Sequence, residues 1–370
     1  VRELVDAIDA WGEDSGRSGR AVVIRTFGSA PRSPGASLVR TEDGRMVGSV
    51  SGGCVEGAAA VEIDEARASG RTRVVRYGIS DEEAWGVGLS CGGTLDVLIE
   101  PALPPEALDA AHAVRHGRTG ARAVVTMLPP GSPGDAIEDG SGSDWAEPGR
   151  RIVVYEDGRV EGELGDEAMA ATVRDEARRA IARGRSSVLT VGEQQLFIEV
   201  FPLRPRLVVV GAEQVAMSLV RLAAELGYET IVIDHRSAFA QHDRFPAVDE
   251  LIVGWLDEVA ERIELGPADA VAVLGHDVKA DVPAVAEAFR RGCRYVGLIG
   301  SRRTQTDRRD RLLEAGVSDA ELAALHGPIG LDLGGRGSPA ETALAILAEI
   351  VAARNGGTGR SMSRRPDHVR

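Results

Sequence analysis

The sequence predicts an α/β protein in two parts: an N-terminal α+β domain carrying an internal duplication, then a Rossmann-like three-layer domain with a parallel sheet. Three observations predict it. With 370 residues, 43% of them hydrophobic, the chain can bury more than one core. The stretch before Pro202 runs twice through a pattern of strand, Asp-Gly turn, strand, helix and strand. After Pro205 the apolar residues form continuous runs separated by helical segments, as parallel strands covered on both faces do.

Residues 4–11 open with Leu4, Ala7, Ile8 and Trp11 on one helical face. Residues 21–26 read as a strand, and 28–35 as a turn rich in Gly, Ser and Pro. Residues 37–40 and 46–50 make a hairpin around Asp43-Gly44, the pairing that a tight turn with positive φ favours. A helix over 55–68 and strands over 74–77 and 95–99 follow, and Pro101 closes the first copy.

The second copy begins with Ala123-Val124-Val125-Thr126. Its Asp157-Gly158-Arg159-Val160-Glu161-Gly162 repeats Asp43-Gly44-Arg45-Met46-Val47-Gly48, and a helix over 166–182 leads to Leu196-Phe197-Ile198-Glu199, which repeats Val97-Leu98-Ile99-Glu100. Only the first copy carries Ser51-Gly52-Gly53-Cys54 before its helix and Ser90-Cys91-Gly92-Gly93 before its last strand. What the copies share is scaffold, and a site is expected in what they do not share. Residues 129–149, rich in Pro, Gly, Ser and acid, read as an exposed loop.

Beyond Pro202-Leu203-Arg204-Pro205, strands are predicted over 206–211, 230–234, 270–274 and 295–299. Helices are predicted over 215–226, 282–291 and 339–353. The expected domains are therefore 1–202, α+β with the 129–149 loop, and 203–354, Rossmann-like, followed by a disordered basic tail over 355–370.

Composition narrows the function. A net charge of −14 opposes broad binding to nucleic acid or anionic membranes. The longest apolar runs are strand-sized, so no membrane span is expected, and the Val1-Arg2-Glu3-Leu4 start lacks the basic and apolar regions of a signal peptide, which predicts a cytoplasmic protein. Three cysteines without a CxxC spacing make neither a disulfide framework nor a zinc knuckle.

The residues that could carry chemistry lie in glycine-rich turns. Cys54 and Cys91 are each flanked by two glycines, costly for a position that is only core. Such turns let backbone N–H groups hold an anion while a thiolate coordinates or attacks, and the helix starting beside Cys54 favours a thiolate. The alternative is that both are small buried hydrophobes. As metal ligands, Cys54 and Cys91 would need further donors or a cofactor's own sulfurs. Arg32, in the stiff Pro31-Arg32-Ser33-Pro34 loop, suits a phosphate or carboxylate, or solvent. Glu56 reads as a first-turn acid serving the helix dipole.

In the second domain, Gly211-Ala212-Glu213-Gln214 stands where a dinucleotide fingerprint would stand, but it keeps only the first glycine and adds a carboxylate where a pyrophosphate would lie. Asp234, at the end of the second strand, does not compensate, so NAD(P) is not expected to bind. His276-Asp277, with Asp281 one turn on, follows a strand at its carboxyl end, where open α/β sheets bind ligands. Ser301-Arg302-Arg303 is an anion-binding composition at a helix start, although Arg303, Arg308, Arg309 and Arg311 read equally as a solvated face.

Taken together, these strings resemble the XdhC/CoxI family, xanthine dehydrogenase accessory factors of molybdenum cofactor maturation. The resemblance rests on Gly28-Ser29-Ala30-Pro31-Arg32, Ser49-Val50-Ser51-Gly52-Gly53-Cys54-Val55-Glu56 and Ser90-Cys91-Gly92-Gly93. It continues through His276-Asp277 with Asp281, residues 297–303, residues 328–334 and Pro339-Ala340-Glu341-Thr342-Ala343, in order over about residues 5–354. It implies a non-catalytic or weakly catalytic chaperone that binds the molybdenum cofactor (molybdopterin) transiently and works with a cysteine desulfurase. It would deliver the cofactor to an apo-molybdoenzyme of the xanthine or carbon monoxide dehydrogenase type. Arg32, Gly53, Cys54, Cys91 and Gly92 would then meet the cofactor, with His276, Asp277, Ser301 and Arg302 in the other domain. One departure stands out: the family's usual Gly-Ala-Gly-His-Val is Gly211-Ala212-Glu213-Gln214-Val215 here. The competing readings are an NAD(P)-dependent oxidoreductase and a partner-binding scaffold without a small ligand. A homodimer is the expected assembly, since closed two-fold assemblies are common.

Overall fold

A computed structural model describes the chain except for residues 1–3, 13–16, 31, 79–92, 117–119, 134–142, 166, 335–336, 362 and 364–370. The chain divides into two compact units, Val1–Leu203 and Arg204–Arg370.

The first unit holds α1 (Val5–Asp9), β1 (Gly19–Phe27), β2 (Ser37–Arg40), β3 (Met46–Gly48), α2 (Glu56–Ser69), β4 (Arg73–Tyr77) and β5 (Thr94–Glu100), joined by α3 (Pro105–His116) to a second set. That set is β6 (Arg122–Met127), β7 (Arg151–Tyr155), β8 (Val160–Gly162), α4 (Glu167–Arg183), β9 (Ser187–Val191) and β10 (Gln194–Phe201). The two antiparallel sheets, β3-β2-β1-β5-β4 and β8-β7-β6-β10-β9, have the same order strand for strand, so the internal duplication is real. Both faces of the first sheet are covered. Ala21, Val23, Val97 and Ile99 pack under Ala59, Ile63 and Ala66 of α2, whereas Val22, Ile24 and Leu98 meet Leu128 and Phe197 of the second copy. Burial on both faces explains why these antiparallel strands read as nearly continuous apolar runs.

An ion cluster is sealed between the two copies. Arg20, 1% exposed, reaches Glu199 at 2.6 Å and Glu100 at 3.4 Å, and Arg151 meets Glu100 at 2.5 Å. Burial works against the charge on Arg20, but Glu199 and Glu100 outweigh it and raise the guanidinium further.

The second unit contains β11 (Arg206–Val210), α5 (Gln214–Glu225), β12 (Glu229–Asp234), β13 (Glu250–Val253), α6 (Leu256–Val259) and β14 (Asp269–Val273). It continues with α7 (Val278–Arg290), β15 (Tyr295–Leu298), α8 (Arg302–Glu314), α9 (Asp319–Ala324) and α10 (Pro339–Asn355). Its strands are all parallel, in the order β13-β12-β11-β14-β15. The order in which strands are laid down reverses between β11 and β14, which places the switch point of the Rossmann-like sheet beside Gly211 and Gly275. No described helix is long and apolar enough to cross a membrane.

Three readings of the sequence need correction. The 129–149 segment is not wholly an exposed loop: Ser143 is 6% exposed and its N–H donates to Val74 O (2.8 Å), while Ala146 exchanges backbone hydrogen bonds with Thr72. These bonds cover the outer edge of β4, whose backbone groups would otherwise lack partners. Helix α3 was hidden behind Pro104-Pro105, although Ala107, Ala110, Ala111 and Val114 have helical spacing and are all buried. Helix α7 starts at Val278, with Pro283 inside it, because Asp277 caps it by accepting from the Lys279 N–H at 2.9 Å. Residue 355 ends α10, and residues 362 and 364–370 of the expected tail lie outside the described residues.

Candidate functional site

Strand register gathers the first unit's motifs at one end of its first sheet. Val22 pairs with Ser37, Leu38 with Gly48, Phe27 with Thr94 and Tyr77 with Leu95. The ends of β1, β3 and β4 and the starts of β2 and β5 therefore lie toward the same end of the sheet, with β1 running on past the start of β2, and the loops carrying Arg32, Cys54 and Cys91 connect strands at that end. Ala30 and Cys54 border the same core cluster. Gly93 lies against the Ser29 and Ala30 backbone so closely that a Cβ would stand 2.9 Å from the Ser29 carbonyl. Cys91 and Gly92 lie outside the described residues. Arg32 is half-buried. In the second copy, a two-residue turn joins β9 to β10 where the first copy inserts residues 78–93 between β4 and β5. The cysteine loops are thus additions to one half of a duplicated scaffold.

The loop before α2 closes on its own acid. Glu56 Oε1 accepts from Ser49 Oγ (2.6 Å) and from the N–H groups of Val50 (3.1 Å), Ser51 (2.9 Å) and Gly52 (3.1 Å). Its Oε2 accepts from Ser51 Oγ (2.7 Å) and the Gly53 N–H (2.8 Å). Gly52 and Gly53 make the wrap at φ of 84° and 121°, a region L-residues rarely adopt. The Cys54 and Val55 N–H groups donate to Ser51 Oγ at 2.9 and 3.0 Å. The N–H groups expected to hold a ligand's anion are therefore spent on the protein's own carboxylate. Glu56 is more than a dipole partner: it organises the loop that presents the half-buried Cys54 thiol. Its place as the first residue of α2, directly after a Ser- and Gly-rich loop whose N–H groups it can reach, was the available signal.

Partial burial opposes the charge on Glu56, but the Ser49 and Ser51 hydroxyls and the backbone N–H groups outweigh it and hold the carboxyl at about 2, below its ordinary 4.5. A depressed folded-state value contributes stability above about pH 4.5 that disappears as pH falls toward 2. Glu56→Gln places an amide N–H₂ against N–H donors. It is expected to cost about 2 kcal/mol near neutral pH, a figure reduced for solvent screening, and to flatten that acid limb in denaturant titrations run at several pH values. An unchanged limb would assign the acid sensitivity elsewhere.

In the second unit, His276 and Asp277 line a cavity of about 240 Å³ at the carboxyl ends of the strands, together with Gly211, Glu213, Asp234, His235, Arg236, Trp255, Gly275 and Asp281. Ser301 and Arg302 are not among its lining residues; Ser301 instead caps α8 by accepting from the Thr304 N–H at 3.1 Å. Arg308 is no solvated residue: it is 4% exposed and donates to Asp281 Oδ2 at 2.8 Å.

The nucleotide-like turn is also filled from within. Asp234 accepts from the Ala212 N–H (2.8 Å) and, through both oxygens, from Arg236, whose Nη2 also donates to Glu213 at 2.8 Å. Asp234 is thus committed to the turn instead of a ribose, and Glu213 stands where a diphosphate would lie. Glu213→Gly should cost no more than about 1 kcal/mol, since the pair it breaks is partly exposed, and should raise affinity for a nucleotide phosphate in NAD titrations. Undetectable binding in both forms would mark the turn as scaffold. Among the described residues, no group of three or more His, Cys, Asp or Glu side chains is arranged to hold a metal.

The architecture is that of a duplicated α+β unit with a cysteine loop on one copy only, joined to a Rossmann-like unit whose nucleotide turn is filled by the chain's own side chains. The sequence matches the XdhC Rossmann domain over residues 207–350 and the XdhC and CoxI family over 11–78 and 137–192; the chain belongs to the XdhC/CoxI family. It is 26% identical over 349 residues to a probable xanthine dehydrogenase subunit of Bacillus subtilis, covering 94% of this chain and 96% of that one. It is 27% identical over 342 residues to the molybdenum cofactor insertion chaperone PaoD of Escherichia coli, covering 91% and 85%. A Bacillus halodurans crystal structure described as a xanthine dehydrogenase shares the fold, with a TM-score of 0.72 over 99% of this chain and 98% of that one at 23% identity.

Proposed function

We propose that this protein is an accessory factor that carries the molybdenum cofactor as cargo and passes it to an apo-molybdoenzyme of the xanthine or carbon monoxide dehydrogenase type. The observation that carries this reading is the placement of Cys54, on a loop built into one copy of the duplication, in a chain of this family. In this reading the Cys54 thiol faces the cofactor's molybdenum or its dithiolene sulfurs, for which a soft donor is suited. Cys91 would serve as a second thiol, and Arg32 would meet the phosphate by its planar fork. Because Glu56 takes the loop's N–H groups, the phosphate falls to side chains and not to the Gly52-Gly53 backbone. A cysteine desulfurase would supply the terminal sulfido ligand while the cofactor is held. No catalytic step is assigned to the chain itself.

Purification under reducing, oxygen-poor conditions from a molybdenum-replete host, followed by metal and pterin analysis, tests the reading. Molybdenum and pterin should co-purify with the chain in matching amounts. Their absence, with a partner enzyme still captured, would favour a scaffold that binds partners alone.

A further inference from the structure

The loop that carries Arg32 is held at both of its ends by residues from outside it. At its start, Gly93 is buried beneath the Ser29–Ala30 backbone. A Cβ on Gly93 would stand 2.9 Å from the Ser29 carbonyl carbon and oxygen and 3.0 Å from the Ala30 nitrogen. All three are main-chain atoms, which no change of rotamer can move aside. The φ of Gly93 lies outside the left-handed region, so the glycine is required for space and not for a turn. Gly93 cannot retreat either, because Thr94 directly after it pairs with Phe27 in the β1–β5 ladder.

The second copy holds the other end. A Cβ on Gly35 would stand 3.0 Å from Ser186 Oγ, and that hydroxyl is itself fixed, accepting from the Val200 N–H at 3.0 Å. The Gly35 N–H donates to Val23 O at 2.8 Å, and the Val23 N–H donates to Ala36 O at 2.9 Å. Just ahead of the loop, Arg25 donates to Gln195 Oε1 (3.0 Å) and to Pro133 O, both of the second copy. A segment fixed at two points yields between them, and Arg32 stands there. We infer that Gly93 and Ser186 are positioning residues for Arg32: one from the end of the Cys91 loop and one from the second copy, they fix where the guanidinium stands relative to Cys54, whose side chain borders the same core cluster as Ala30. This rests on the reading that Arg32 meets the cofactor's phosphate, and it gives the second copy a part in the site beyond scaffold.

Two measurements on the full chain test the inference, and the first needs no cofactor. In Gly93→Ala, amide exchange at Ala30 and Ala36, whose N–H groups bond to Gly28 O and Ser33 O inside the loop, should quicken by about tenfold, while amides of α4 keep their wild-type rates. The second measurement follows how fast the purified, loaded chain loses molybdenum. Gly93→Ala and Arg32→Ala should each speed that loss by about tenfold, and the double variant by no more than about twentyfold, because both remove one contact. A merely structural glycine would act independently of Arg32, and the two effects would multiply to about a hundredfold. That product, or unchanged exchange at Ala30 and Ala36, would overturn the inference. If Gly93→Ala does not fold, Ser186→Leu decides: it presses on Gly35 from the second copy and should give the same exchange pattern and the same coupling to Arg32. A wild-type chain without molybdenum removes the cofactor reading instead, and the positioning of Arg32 is then decided by exchange alone.

Discussion

Cys54→Ser is expected to remove most of the cofactor delivered to the client enzyme while shifting the stability of the first unit by less than about 1 kcal/mol. The hydroxyl is close in size to the thiol, and the half-buried position lies beside polar loop atoms that can satisfy it. An alcohol, however, is a poor soft-metal ligand and has no accessible anion near neutral pH. Bound molybdenum and client activation, measured beside denaturant unfolding on Cys54→Ser and Cys54→Ala, separate the two roles. Full cofactor content in a stable Cys54→Ala protein would remove the thiol from the site. A large loss of stability with cofactor handling intact would make Cys54 a packing residue.

The largest stability effect is expected at Arg20. Arg20→Leu leaves Glu100 and Glu199 buried, with only Arg151 beside Glu100, and should destabilise the first unit by about 3–5 kcal/mol. The cost comes from uncompensated buried charge, not from the loss of a favourable pair. Replacing Arg20, Glu100 and Glu199 together by apolar residues of similar volume should therefore recover most of it. A single substitution costing less than about 1 kcal/mol would show that water reaches the cluster. The Arg20–Glu199 contact joins the two copies, so the same variant should loosen the pairing of the sheets before either sheet melts, which hydrogen exchange on β1 and β10 would detect.

Much of the architecture could be read from residue order. Asp43-Gly44 and Asp157-Gly158 announce the two hairpins, and the apolar runs at 206–210 and 269–273 announce parallel strands. The family strings place Cys54 on a loop before a helix. The four-residue strand β13 escaped because a short element between polar residues has a weak local signal, whereas α3 stood behind Pro104-Pro105 with its helical spacing present. The solvated reading of Arg308 failed for a different reason. A charged residue on a polar helix looks the same in sequence whether water or a buried carboxylate faces it.

Residue order alone determined the duplication, the Rossmann-like alternation and the loops that carry Cys54 and His276, because hydrophobic period and turn chemistry are local properties. Tertiary structure decided which polar groups of the second unit are spent and which are open. Arg236 closes on Glu213 from 23 residues away, and Arg308 takes one oxygen of Asp281 from 27 residues away, leaving the other without a partner. Glu56 lies close to its loop in sequence, yet even there the six donors converge only once Gly52 and Gly53 adopt positive φ. A hydrogen bond requires two groups at one distance and angle, and that geometry exists only after the chain has folded.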